Sequence, residues 1–173
     1  MRKKVKNIRF FVSDIDGVLT DGRIFYINGK LCRFFNIKDG MAFNLLKNSG
    51  IKSVLISGKK SESTKKRFKE LDVDFYFEGI ENKTKVIEKF ISANSSSWEE
   101  ICYMGDDFQD MVVMEKAGIA IAPADAAEQI RQKADYICSK KGGEGAFREA
   151  VEVILKEYKK WEDALKKFFA SCL

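Results

Sequence analysis

Two aspartates stand one residue apart at the end of an apolar stretch near the start of the sequence. The segment FFVSDIDGVLTDG, residues 10–22, begins like a buried strand and then carries Asp14 and Asp16. In an extended chain, residues i and i+2 point to the same side, so the two carboxylates should lie together. Each makes the other costlier to ionise, and the pair therefore predicts a cation beside it.

Further polar features follow other strand-like runs in the same way. They are Ser57-Gly58, Lys83 and the segment GDDFQD at 105–110, with Asp106, Asp107 and Asp110. Because the carboxyl ends of parallel strands meet at one edge of a sheet, these groups are expected to converge there. Taken singly, each feature has an ordinary structural explanation: a Ser-Gly turn, a solvated lysine or a helix N-cap.

Taken together, the groups predict phosphoryl transfer. All-oxygen ligands suit a hard ion such as Mg²⁺, and once the ion and Lys83 are present a phosphate dianion is attracted rather than repelled. The cluster then supplies a nucleophile, charge neutralisation and positioning. Histidine is absent, which excludes Ser-His and Cys-His catalysis and any His-ligated metal.

The elements that must position these groups alternate along the chain. Strand-like runs lie at 8–13, 52–56, 74–77, 101–104, 119–122 and 136–138, and helical patterns lie at 40–48, 62–71, 82–93, 108–116 and 126–133. This alternation predicts an α/β fold, a doubly wound (Rossmann-like) parallel sheet flanked by helices.

Two segments depart from the alternation. Residues 22–36 hold two strand-like arms around Asn28-Gly29, which predicts a protruding β-hairpin directly after the first strand. The segment from 146 to 173 is amphipathic and predicts one long helix, which packs on its own sheet or docks on a partner subunit. No linker divides the chain, so we expect a single domain over residues 1–173.

Composition limits the class of protein. With 173 residues, 45% hydrophobic content and one proline, the chain is expected to fold around a real core. Its apolar runs are too short for a membrane helix or a signal peptide, and the four scattered cysteines favour reduced thiols in the cytoplasm. The net charge of +5 is modest, and the lysines of the amphipathic tail alternate with acidic residues as a solvated face, so neither nucleic acid nor membrane is an expected partner.

The motifs DIDGVLTDG, SG, NK and GDDFQD, in this order, resemble those of the haloacid dehalogenase superfamily of phosphatases. The segments DIDGVLTDGRIFY, FNIKDGMAF and GGEGAFREA further resemble the 3-deoxy-D-manno-octulosonate 8-phosphate phosphatase family and its relatives acting on sialic-acid-like sugar phosphates. The spacing between the motifs leaves no room for a cap domain. The resemblance implies a homotetramer in which the hairpin of one subunit covers the site of its neighbour.

The resemblance also implies roles for the acids. Asp14 is the expected nucleophile, which forms an aspartyl phosphate, and Asp16 the expected acid and base that serves the leaving sugar and then water. Mg²⁺ is expected on Asp14, the backbone carbonyl of Asp16, and Asp106. Asp107 and Asp110 are further acids of the metal site, and whether either contacts the ion directly stays open.

The remaining motif residues are expected to handle the phosphoryl group and the sugar. Ser57 and Gly58 hold the phosphoryl oxygens, and Lys83 offsets their charge. Relatives often carry arginine where this chain has Lys59, the expected substrate-binding residue, and lysine lacks the bidentate fork for a carboxylate. Glu144 likewise stands where many relatives have arginine, so both positions bear on which sugar acid is bound.

The implied function is Mg²⁺-dependent hydrolysis of a sugar-acid phosphate, with 3-deoxy-D-manno-octulosonate 8-phosphate preferred over a sialic-acid-like 9-phosphate. A non-catalytic assembly domain of the same fold is an alternative, although it would be expected to have lost Asp14, Asp16 or Lys83. Receiver domains of response regulators also combine acids, a hydroxyl and a lysine. Their acid pair is adjacent and their phosphorylated aspartate ends the third strand, whereas here the third run ends in Glu78-Gly79.

Overall fold

The structure, a computed structural model, describes residues 7–171. The described strands are β1 (Phe10–Ser13), β2 (Phe25–Ile27), β3 (Lys30–Cys32), β4 (Lys52–Ser57), β5 (Phe75–Glu78), β6 (Ile101–Met104), β7 (Ile119–Ala122) and β8 (Tyr136–Ile137). The described α-helices are α1 (Gly40–Ser49), α2 (Glu62–Glu70), α3 (Lys83–Ala93), α4 (Met111–Lys116), α5 (Glu128–Lys133), α6 (Ala146–Glu157) and α7 (Trp161–Ala170).

Six of the strands in this described region form one parallel sheet in the order β5-β4-β1-β6-β7-β8. The first strand, β1, lies between β4 and β6 and all four of its residues are buried, as its unbroken apolar run predicts. The chain reverses direction across the sheet at β1, so the carboxyl end of β1 is a topological switch point, where open sheets bind ligands. The predicted doubly wound fold is confirmed, and residues 7–171 contain no cap domain.

Each face of the sheet carries its own hydrophobic core. Neighbouring residues of β1 point to opposite faces: Phe11 packs with α1 and α6, whereas Phe10 and Val12 pack with α3, α4 and α5. Phe11 meets Phe147 of α6 edge to face, with ring centroids 5.4 Å apart. The two cores fix β1 from both sides and thereby fix the loop that follows it.

The predicted hairpin is present as β2 and β3, which pair antiparallel outside the main sheet. Its two turn residues, Asn28 and Gly29, have positive φ of 50° and 72°. This conformation gives a two-residue turn the twist that hairpin strands need. The hairpin packs against the start of α2, because the hydroxyls of Ser61 and Ser63 both donate to the carbonyl of Leu31.

The prediction of one continuous helix after residue 146 is wrong. The helix α6 ends at Glu157, and Lys159 adopts a left-handed φ of 54° before α7 begins. The amide of Lys160 then closes the helix end by donating to the carbonyl of Leu155, which satisfies a carbonyl that a straight helix would have bonded elsewhere. Apolar spacing continued through the break and gave no sign of it.

After this break, α7 folds back on its own chain and packs on α1. The amide of Asn48 and the ammonium groups of Lys160 and Lys167 join the two helices through backbone carbonyls. Of the two predicted arrangements for this segment, the residues up to 171 follow packing on the parent domain. Cys172 and the last residue lie outside the described residues.

The three described cysteines are free thiols, and Cys102 and Cys138 are buried. Within residues 7–171, no helix combines the length and the apolar composition needed to cross a bilayer.

Candidate active site

The predicted lysine is buried between two of the predicted acids at the carboxyl edge of the sheet. Lys83 Nζ lies 2.9 Å from Asp14 Oδ1 and 2.7 Å from Asp110 Oδ1, and all three side chains are almost fully buried. Lys83 is the first residue of α3, where the positive end of the helix dipole opposes an ammonium. The two carboxylates supply the compensation, because burial lowers the pKa of Lys83 while Asp14 and Asp110 outweigh it and raise that pKa above its ordinary value.

Both oxygens of Asp110 are fully engaged. Its Oδ1 accepts from Lys83 and from the buried hydroxyl of Tyr103, at 2.6 Å. Its Oδ2 accepts from the backbone amides of Asp106 and Asp107, at 3.1 and 3.3 Å. Asp110 therefore holds the loop after β6 in place and links that loop to Lys83.

Asp106 contributes a carboxylate that lacks a hydrogen bond. Its Oδ1 is buried without a hydrogen-bond partner among the described residues. It lies close against the loop after β1, since a Cβ on Gly17 would lie 1.9 Å from its Oδ2. Asp14, Asp106 and Asp110 each offer an oxygen within 4.8 Å of the others, a grouping that could hold a metal ion.

The electrostatics of this cluster call for further positive charge. Burial raises the pKa of Asp14 to about 7, with Lys83 opposing the rise and Asp110 adding to it. Burial, Asp14 and Asp110 raise the pKa of Asp106 to about 8. Two of the three carboxyls therefore hold protons near neutrality in the protein alone, and a divalent cation is the group that would keep them ionised.

The carboxylate of Asp16 binds arginine, whereas that of Asp14 binds lysine. Arg33 donates two hydrogen bonds to Asp16, with Nε 2.6 Å from Oδ1 and Nη2 2.8 Å from Oδ2. Arg33 follows β3, and its Nη1 donates to the hydroxyl of Thr64 in α2 at 2.9 Å. The hydroxyl of Ser57 lies 3.5 Å from Asp16 Oδ2, at the limit of hydrogen bonding.

The other predicted residues line the same edge with different degrees of exposure. Ser57 is buried at the end of β4, where its hydroxyl accepts from the amide of Lys59 at 3.1 Å. The residues Gly58 and Lys59 are exposed. Asp107 is exposed and caps the turn at 108–110 by accepting from the amide of Phe108, so it stands outside the carboxylate grouping.

Sequence reasoning missed Arg33 and Tyr103. Each had a signal: Arg33 is a charged residue within the apolar segment LCRFF, and Tyr103 alternates with the residues of β6 that face the opposite core. Tyr103 belongs to the core that contains Phe10 and Val12, the layer from which α3 delivers Lys83.

The GGEGAFREA segment supports the loop after β1 through close backbone contact. A Cβ on Gly142 would lie 1.9 Å from the carbonyl oxygen of Gly17, so no larger residue fits there without movement. The amide of Gly143 donates to the carbonyl of Val18 at 3.0 Å. Glu144, at the turn that follows, is exposed.

The sequence and the fold match one family. A model described as haloacid dehalogenase-like hydrolase matches residues 30–124. A curated protein from Haemophilus influenzae, named 3-deoxy-D-manno-octulosonate 8-phosphate phosphatase, is 34% identical over 158 residues, which cover 90% of this chain and 87% of that protein. The chain belongs to the haloacid dehalogenase-like hydrolases.

Solved structures agree with this family. A probable YrbI family phosphatase from Pseudomonas syringae superposes with a TM-score of 0.90 at 36% identity, over 95% of this chain and 94% of that one. An octulosonate 8-phosphate phosphatase from Moraxella catarrhalis, in complex with magnesium ion, phosphate ion and KDO, superposes with a TM-score of 0.89 at 33% identity, over 95% of each chain. The predicted family and the enzyme class, a phosphoric monoester hydrolase, are confirmed.

Proposed function

We propose that this hydrolase is a Mg²⁺-dependent phosphatase of a sugar-acid phosphate, with 3-deoxy-D-manno-octulosonate 8-phosphate as its substrate. One observation carries the proposal: Lys83 is buried between Asp14 and Asp110 beside the unpartnered oxygen of Asp106. The names of the Haemophilus and Moraxella relatives support the choice of substrate.

The donor set fits a hard divalent cation. Asp14, Asp106 and the backbone carbonyl of Asp16 would hold Mg²⁺, with Asp110 or Asp107 as a further acid of the site. The unpartnered Asp106 oxygen and the close grouping of carboxylates support this, because such a cluster without a cation is unfavourable. When bound, the ion would neutralise charge on the phosphoryl oxygens.

The side chains of this chain would carry out the reaction in two steps. An Asp14 oxygen attacks phosphorus, the bond from phosphorus to the sugar oxygen breaks, and Asp16 gives its proton to that oxygen. A water then loses a proton to Asp16 and attacks the aspartyl phosphate, which frees Asp14 and phosphate. Lys83 and the donors at Ser57 and Gly58 stabilise the negative charge on the transferring group.

Release of phosphate tests the proposal and its alternatives. The octulosonate 8-phosphate, a sialic-type 9-phosphate and a hexose 6-phosphate are compared with Mg²⁺ and with a chelator, using wild type and Asp14→Asn. We expect preference for the eight-carbon acid, and loss of turnover in the variant and with the chelator. Equal rates on hexose phosphate would contradict the proposed substrate, and inactivity on all three would favour the assembly-domain alternative.

Binding of the metal can be measured apart from turnover. Thermal unfolding with increasing Mg²⁺ reports affinity, because a ligand of the native state raises the melting temperature. Asp106→Asn should abolish most of the Mg²⁺-induced rise. Asp107→Asn makes the same chemical change at the exposed neighbour and decides whether that acid also contributes. Asp163→Asn, at an exposed aspartate of α7, is the matched control.

We further propose one folding domain over the whole chain, assembled as a homotetramer in the cytoplasm. The hairpin region exposes large apolar side chains that would cover a neighbour's open site, namely Ile24, Tyr26, Ile27, Phe34 and Ile37. Light scattering should give the mass of four chains, and Phe34→Ser should lower it. A monomeric wild type would rule out the tetramer, and cell fractionation tests the compartment.

A further inference from the structure

We propose that Arg33 is a positioning residue for the proposed acid and base, holding the carboxylate of Asp16 in one orientation through a bidentate fork. The inference rests on the proposed function, because it assigns Asp16 its place in the reaction. Arg33 itself contacts Asp16 and not the reacting atoms.

The contact has the geometry of a fork. Nε and Nη2 of Arg33 donate to different oxygens of Asp16, at 2.6 and 2.8 Å, the parallel arrangement that fixes a carboxylate plane as well as its distance. A lysine would supply charge but no such plane. The two bonds use one lone pair on each oxygen, and since a carboxylate offers about four such sites, each oxygen keeps capacity for a proton or water.

Arg33 is anchored independently of Asp16. Its Nη1 donates to the hydroxyl of Thr64 at 2.9 Å, which ties it to the first turn of α2. The Arg33 side chain is 0% exposed, whereas that of Asp16 is 27% exposed. Because the guanidinium of Arg33 is fixed and buried while the carboxylate of Asp16 is partly exposed, Arg33 sets the position of Asp16 and not the reverse.

The surroundings of Asp16 leave this task to Arg33. The Ser57 hydroxyl, at 3.5 Å from Oδ2, is too distant to orient the group strongly. An aspartate without a fixed partner rotates about its side-chain bonds, and a general acid acts only within about 2.6–3.2 Å of the atom it serves. Arg33 directly follows β3 of the hairpin. The hairpin therefore helps to orient the Asp16 carboxylate within its own subunit, besides any role in covering a site.

The test uses two substrates that differ in their need for an acid. The alkoxide released from a sugar phosphate needs a proton, whereas p-nitrophenolate leaves well without one. The ratio kcat/KM reports steps up to departure of this group, so it isolates the acid step from later hydrolysis of the aspartyl phosphate. Arg33→Met, Arg33→Lys and Thr64→Val are compared with wild type, and Asp16→Asn shows the pattern produced by losing the acid itself.

We expect Arg33→Met to lower kcat/KM for the sugar phosphate by about 10- to 100-fold, part of the 10²–10⁴-fold typical of general acid catalysis. The loss for p-nitrophenyl phosphate should stay below about 3-fold. Arg33→Lys should recover little of the lost kcat/KM for the sugar phosphate, because charge without the fork does not orient the carboxylate. Thr64→Val should lower the same kcat/KM by a smaller factor. An equal loss on both substrates, or none, or full rescue by lysine would overturn the proposal.

A measurement without turnover separates this inference from the proposed function. In arginine-labelled protein, the Arg33 Nε–H should exchange slowly with solvent, and Asp16→Asn should speed its exchange. The exposed side chain of Arg23 gives the fast reference within the same spectrum. If Arg33 exchanges as fast as Arg23, the inference fails even in an active enzyme, whereas inactive wild type with a protected Arg33 would refute the proposed function instead.

Discussion

Replacing Asp39 by asparagine should make the protein more stable at neutral pH. Asp39 is buried at the start of α1 and accepts from the amide of Arg148, in the first turn of α6, at 2.9 Å. Helix α6 has no side-chain N-cap of its own, since Gly145 stands at its N-cap position. The other oxygen, Oδ2, is buried without a hydrogen-bond partner in the described part of the chain.

The pKa of Asp39 gives the sign and the size of the effect. Burial raises it from the ordinary 3.8 to about 6, against the opposing effects of the Arg148 amide, Lys140 and Arg148. An acid whose pKa is raised in the native state stabilises the fold while protonated, and this contribution is lost as pH rises from about 4 to about 6. At about 1.4 kcal/mol per unit of pKa, ionisation of Asp39 lowers the free energy of unfolding by about 2 kcal/mol between pH 4.5 and pH 7.

Urea unfolding of wild type and Asp39→Asn across this pH range measures the effect. Asparagine keeps the oxygen that caps α6 and carries no charge. The difference in unfolding free energy between the two proteins should therefore grow by about 2 kcal/mol toward pH 7 in favour of the variant. Other titrating groups cancel in that difference, and Asp163→Asn, the same change at an exposed site in α7, serves as control. A difference that is flat with pH, or equal to that of the control, would refute the reasoning.

Three further substitutions test the packing of the site and the core. Tyr103→Phe removes the 2.6 Å bond to Asp110 and should cost about 1–3 kcal/mol in urea unfolding, since a buried acceptor loses a donor; an unchanged midpoint would contradict it. Gly142→Ala drives a Cβ into the carbonyl of Gly17, so phosphatase activity and the melting temperature should both fall, and retention of both would count against this contact. Phe147→Ala empties a fully buried site and should cost about 3–5 kcal/mol by calorimetry, with a loss below about 1 kcal/mol as the contrary result.

The fold was predictable because its signals are local and repeated. The buried run at 10–13 marks a central strand, and positive φ at Asn28 and Gly29 follows from residue types that favour that conformation. Since polar residues end the strands, the meeting of Asp14, Lys83 and Asp106 also followed from topology alone.

Other features depend on contacts between distant segments and left little trace in the sequence. The break between α6 and α7 places α7 on α1, while the apolar period passes through it unchanged. Arg33 and Asp16 are 17 residues apart, and no spacing rule pairs a strand-end arginine with an acid on a loop. In the sequence Tyr103 has the pattern of a core residue, and only the structure shows that its hydroxyl donates to Asp110.

Charge balance couples metal and phosphate binding in this site. Asp14, Asp106 and Asp110 with Lys83 leave two negative charges when all are ionised, and Arg33 already neutralises Asp16. One divalent cation cancels that excess and keeps the carboxyls ionised. Without the cation, the raised pKa values of Asp14 and Asp106 leave the cluster with no surplus positive charge to attract a phosphate dianion. Inorganic phosphate should therefore raise the melting temperature of the Mg²⁺-loaded protein and leave that of the chelator-treated protein unchanged. Equal stabilisation in both would mean that the anion is held away from these carboxylates, and the shared role given to Asp14 and Lys83 would fail with it.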